Sequence, residues 1–303
     1  MDYLLGVTMV RIGHGRIRDA TLAAREALEE TQRLGVDATK AHTQLGLALT
    51  LLGRYEEARV ELETALEGID MQHPDAVLVL GVSGIQRGFV GEDREAIESF
   101  ERALALEGER KLGQPHYRAL VGTYMAISVD RLGNAEKAIF MQRTAIAALK
   151  QLWGEEHGAL GRAYHQFGTT LADNGKWAEA RDAFERSLAI WKRTHGSNHR
   201  AVAHPETGLA RVLLHEGRNV EALRLLESAL PKLAAEDGHP PEDSRTYFHL
   251  ARALALTDGD QMRARQLAAT ALELLADLGP GYDRDRQAIK TWQAEHSTPR
   301  PTL

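Results

Sequence analysis

Small and apolar residues recur along this chain in a pattern written seven times. GRIRDA, GRYEEA, GEDREA, GNAEKA, GKWAEA, GRNVEA and GDQMRA begin at Gly15, Gly53, Gly91, Gly133, Gly175, Gly217 and Gly259, and each places an alanine five residues after its glycine. The glycines are 38, 38, 42, 42, 42 and 42 residues apart. Twelve positions after each stands a second small residue (Ala27, Ala65, Ala103, Ala145, Ser187, Ala229, Ala271), followed at once by Leu or Ile. On an α-helix those two small positions lie two turns apart on one face, so a neighbouring helix can approach it closely. Ahead of the turns, apolar runs such as HTQLGLALTLL and AYHQFGTTLAD carry a small residue seven positions before the glycine: Gly46, Gly84, Ala126, Gly168 and Ala210. A glycine between two such patterns ends the first helix in the left-handed cap conformation. Each unit therefore predicts helix A, a tight turn and helix B.

The fold expected is all-α, one array spanning residues 1–296. Repeat 7, LARALALTDGD, carries one extra residue in its turn. GPGYD then breaks the pattern, and RDRQAIKTWQAEH predicts one more helix over about 283–296, capping the last repeat as a solenoid requires. Residues 297–303, STPRPTL, are expected to be a disordered tail. Helix A of repeat 1 starts almost at Met1 with no capping element before it, which suggests a piece of a longer protein.

Composition narrows the function classes. With 303 residues and 43% hydrophobic content the chain can bury a large core. It has no cysteine, which excludes disulfides and thiolate metal sites. A net charge of -6 gives no field for nucleic acid. The opening MDYLLGVTMVRIGHGR is too short an apolar run to span a membrane and lacks the basic start of a signal peptide, so a cytoplasmic location is expected.

The repeated pattern closely resembles the tetratricopeptide repeat family, whose unit is about 34 residues of helix-turn-helix. The 42-residue units are similar to the longer repeats of kinesin light chain, and the loops HPDA from His73, GQPH to His116, GEEH to His157 and GSNH to His199 carry that likeness. The resemblance covers residues 2–278 and implies a right-handed superhelical solenoid of about seven repeats whose helices A line a concave, peptide-binding face. Where kinesin light chain repeats have paired asparagines, this chain has Thr43-Gln44, Thr123-Tyr124, His165-Gln166 and Thr207-Gly208, so kinesin cargo chemistry is not carried over. The alanine-rich repeats and closing TWQAEH also resemble the repeat regions of large bacterial serine/threonine kinases, which implies an alternative role as the regulatory or sensor region of such an enzyme.

Catalytic motifs are absent. Gly175-Lys176 is no phosphate loop: the nearest earlier glycine is Gly168, seven positions back, and Trp177 stands where a hydroxyl must hold magnesium. GHGR at Gly13 lacks the third glycine of a dinucleotide fingerprint, and no kinase motif occurs. His195 and His199 flank a Gly-Ser-Asn loop, and His215-Glu216 leads into Gly217, so the histidines read as helix caps and no metal or cofactor is expected. Trp153, Trp177, Trp191 and Trp292 read as packing residues.

What remains is binding. The concave positions of the first repeats include Leu5, Met9, Lys40, Thr43, Leu47, Ile85 and Phe89, and the apolar stretch around Ile85 and Phe89 suits a homodimer contact. Those of the last three repeats are Arg162, His165, Gln166, Thr169, His204, Thr207, Arg211, Arg245, His249 and Arg252, together with Asp173 and His215. Guanidinium groups hold carboxylates and phosphates in two-point hydrogen bonds. The expectation is a non-catalytic protein–protein interaction scaffold whose partner is a protein or peptide, with an acidic or phosphorylated ligand in the C-terminal half of the groove.

Overall fold

The computed structural model describes residues 17–296, apart from 68, 74, 111, 112, 114 and 234–238. Helix A of the first repeat, with Leu5 and Met9, and the tail 297–303 lie outside the described residues.

The described residues form fourteen α-helices and no strand. Helix B of repeat 1 is α1 (Ile17–Leu34). Six A/B pairs follow: α2 (Thr39–Leu51) with α3 (Tyr55–Glu67), α4 (Ala76–Val90) with α5 (Asp93–Glu109), α6 (Pro115–Arg131) with α7 (Ala135–Trp153), α8 (Gly158–Asp173) with α9 (Trp177–His195), α10 (Arg200–His215) with α11 (Asn219–Leu233), and α12 (Pro240–Leu256) with α13 (Gln261–Glu273). A 3-10 turn, Pro280–Tyr282, leads into the cap helix α14 (Asp283–Glu295).

The small-residue register does what its spacing predicts. Ala58, Ala96, Ala138, Ala180, Ala222 and Ala264 have no exposed surface, and the second small positions Ala65, Ala103, Ser187, Ala229 and Ala271 are buried with them. The turns are as tight as the glycine allows. Gly175 takes φ 74°, and Lys176 N–H donates to Leu171 C=O at 2.8 Å, closing α8. In repeat 7 the left-handed position passes to Asp258 (φ 51°), one residue ahead of Gly259, which is where the extra turn residue acts.

Loop histidines cap the A helices. Nδ1 of His157 accepts from Ala159 N–H at 3.2 Å and Nδ1 of His199 from Ala201 N–H at 3.1 Å. His73 does the same for Asp75 N–H at 3.2 Å while its Nε2 lies 3.1 Å from Asp37. The tryptophans bridge helices. Trp177 stacks on His215 of the next repeat at 4.1 Å, and Trp191 donates to Gly158 C=O at 3.3 Å. Trp292 stands edge-on to Phe248 at 6.2 Å, fixing α14 on repeat 7.

Accumulated curvature brings the segment after repeat 7 back against the turn of repeat 3. Gly279 N–H donates to Val90 C=O at 2.5 Å, Gly281 N–H to Gly91 C=O at 3.1 Å, and Tyr282 O–H to Phe89 C=O at 3.0 Å. Within the apolar stretch expected to suit a dimer contact, Phe89 is only 7% exposed and packs edge-on against His239 at 4.7 Å, while Ile85 stays half-buried. No helix among the described residues is long and apolar enough to cross a membrane.

Candidate functional site

The concave residues of the last three repeats sit on α8, α10 and α12, three or four positions apart, so each helix turns one stripe toward the axis. Glu242, one turn before Arg245 at the start of α12, organises the middle of that stripe. Its Oε2 lies 3.1 Å from His165 Nε2. Burial would raise its carboxyl, but His165 and Arg245 hold it well below the usual carboxylate range. The rings of His204 and Trp191 stand 5.8 and 5.9 Å from His165. Burial pushes the imidazoles of His204 and His239 down, that of His239 to about 4, so these rings stay neutral. Gln166 and Thr169 are buried beside them, and Thr207 Oγ1 meets Thr246 Oγ1 at 2.8 Å.

Two of the expected arginines are engaged by carboxylates of other helices. Arg211 reaches Asp173 at 2.6 Å and lies over the Trp177 ring at 5.4 Å. Arg245 stands 3.7 Å from Asp285, 3.8 Å from Glu242 and 3.9 Å from Asp173. These three carboxylates raise its pKa against the opposite pull of burial.

The other two are different. Arg252 lies over Phe248 at 6.0 Å and reaches His249 Nδ1 at 3.4 Å, with no carboxylate in ion-pair range among the described residues. Burial, and then Arg211, lowers its pKa, and burial with Arg252 and Arg211 pushes His249 well below its ordinary value. Arg162, at the start of α8, has neither hydrogen bond nor ion pair among the described residues, and its charge is one of those that disfavour protonation of His239. The two cations mark opposite ends of the A helices.

Beside the middle of the stripe lies a cavity of about 50 Å³ lined by Phe89, Tyr124, Gln166, Thr169, Glu242 and Arg245 among others. That is room for a few water molecules and not for an extended peptide. Glu242 was open to discovery in the sequence, since the preceding repeats place Ala159 and Ala201 at its position. Tyr282 carries no such signal, because it reaches Phe89 and Arg131 only through closure of the superhelix.

Family models described as tetratricopeptide repeat match residues 11–88 and 159–234, together just over half of the chain. The chain belongs to the tetratricopeptide repeat family. Among curated proteins nothing matches its sequence. Among solved structures it is similar to NprR in complex with its cognate peptide NprX, at 11% identity and a TM-score of 0.70, covering 97% of this chain and 84% of that one. A Rap protein complexed with competence and sporulation factor is 15% identical, with a TM-score of 0.62 over 90% of this chain and 80% of that one. BtubC (BKLC) from P. vanneervenii is 16% identical, with a TM-score of 0.52 over 95% and 96%. At such identities the likeness is one of fold.

Proposed function

We propose that this tetratricopeptide repeat array is a non-catalytic interaction scaffold that takes an acidic or phosphorylated segment of a partner protein on the C-terminal half of its concave face. The observation that carries this reading is Arg252: a guanidinium largely withdrawn from water beside Arg211 and His249, with no carboxylate in the described chain to neutralise it. A cation so placed gains most from an incoming anion, because a charge-assisted hydrogen bond contributes roughly 1.5–3 kcal/mol. The half-buried Phe248 ring beside it offers apolar surface for the rest of the segment. Arg162, Arg211, Arg245, His249 and the buried His165, Gln166, Thr169, His204 and Thr207 belong to the same stripe, Arg162 as a second entry point and the others engaged once the groove widens. One solved relative in fold holds its cognate peptide, NprX, and another is complexed with competence and sporulation factor, and the first supports a peptide-sized partner.

Binding of short Asp/Glu-rich or phosphoserine peptides, measured beside the same sequences with the charges removed, tests the reading. The charged peptides should bind at least about tenfold more tightly, and the advantage should shrink as salt rises to roughly 300 mM, because screening weakens exposed charges first. Equal affinity for charged and neutral peptides at both salt levels would contradict it.

A further inference from the structure

Tyr282 is 1% exposed although it sits in a short turn between helices. Its hydroxyl donates to Phe89 C=O and accepts from Arg131 Nη2 at 2.8 Å, while the Arg131 guanidinium lies over its ring at 4.3 Å. Arg131 is itself held by Gly88 C=O at 2.7 Å and Asp93 at 3.4 Å. Just before the tyrosine, two backbone N–H groups of the Gly-Pro-Gly segment pair with the carbonyls of Val90 and Gly91. Backbone pairing plus one side chain in a fitted pocket is how receptors grip a short peptide.

The glycines fit the same purpose. A β-carbon on Gly279 would stand 2.7 Å from Val90 O, and one on Gly281 would stand 2.9 Å from Gly91 Cα and meet Asp93 Oδ2 closer still. One on Gly91 would reach Gly281 N at 3.1 Å. Three glycines thus allow two backbones to touch where any side chain would part them. Alongside runs an open groove of about 430 Å³, bordered by Arg54, Glu57, Val90 and Asp277, so one edge of the contact stays wet.

We propose that Gly279–Tyr282 is an internal ligand, seated in a turn-recognition site made by Phe89–Gly91 and Arg131, and that it holds the superhelix closed over its concave face until it is released. The site's occupant is this chain's own segment. Arg284, which donates to Asp173 C=O at 3.3 Å, and Asp285, beside Arg245, extend the same contact along the cap helix. This holds whatever the chemistry of the partner.

The test is a fluorescent peptide spanning residues 277–287, titrated against the full chain and against its Gly279→Ala/Gly281→Ala variant. The wild type, its seat filled, should bind the peptide at least about tenfold more weakly than the variant, and the same peptide carrying Tyr282→Ala should bind neither. Equal binding by both proteins, or none by a variant with wild-type helix content, would overturn the proposal. Should the variant not fold, Tyr282→Phe decides the matter: amide exchange at Gly279 and Gly281 should quicken about tenfold, as loss of the hydroxyl's bonds implies, and unchanged exchange would overturn it.

Discussion

Replacing Phe184 with alanine should destabilise the chain by about 3–5 kcal/mol, seen as a lower urea midpoint. Phe184 is 1% exposed on α9 and fills the space between helix A of its own repeat and helix A of the next. The fit is exact enough to exclude a methyl group: a β-carbon on Gly168 would come within 2.8 Å of Phe184 Cδ1, and one on Gly208 would come closer still. In the wild type, Gly208→Ala should therefore be costly on its own. In the Phe184→Ala background the same alanine enters vacated space, so the two effects should fall short of adding. Additive losses would mean that the repeats are not joined through this ring.

The second large effect is expected at Arg200. It lies at the start of α10, 8% exposed, donating to Leu233 C=O and to both carboxylate oxygens of Asp243 on α12, which also accepts from His239 N–H at 3.2 Å. Burial raises Asp243 to about 6, against the opposing pull of Arg200. Arg200→Met strands that carboxylate and should cost about 3–5 kcal/mol near pH 7.5, whereas Arg200→Met/Asp243→Leu should cost less. The sign of the pH dependence is fixed by the direction of the shift. A carboxyl whose folded pKa lies above its unfolded value takes up its proton in the folded state first, so the single variant's deficit should shrink as pH falls toward 5. Thermal melts at the two pH values measure this, and a deficit that grows on acidification would contradict it.

The helix pairs were legible in the sequence because helix packing is local: the register of small residues around each glycine recurs, and each copy is a check on the others. The shifted turn of repeat 7 was legible for the same reason. Closure was not, since the Tyr282–Phe89 contact joins residues 193 apart and follows from rotations summed over many repeats. The partial neutralisation of the basic stripe was hidden likewise. Asp173 and Asp285 come from two other helices, so no spacing in the chain announces that they join Glu242, one turn away on Arg245's own helix, around that guanidinium. Arg252 looks like its neighbours in the sequence, and only the folded chain sets it apart.

Arg252→Glu bears most directly on the account of the concave face. Because Arg252 has no carboxylate partner among the described residues, reversing its charge should leave the thermal melt nearly unchanged while removing the cation that an acidic segment would meet. Titrated with matched acidic and basic peptides, the wild type should prefer the acidic set and Arg252→Glu should lose that preference by about tenfold or more. A folded Arg252→Glu protein that keeps the wild-type preference would contradict the account.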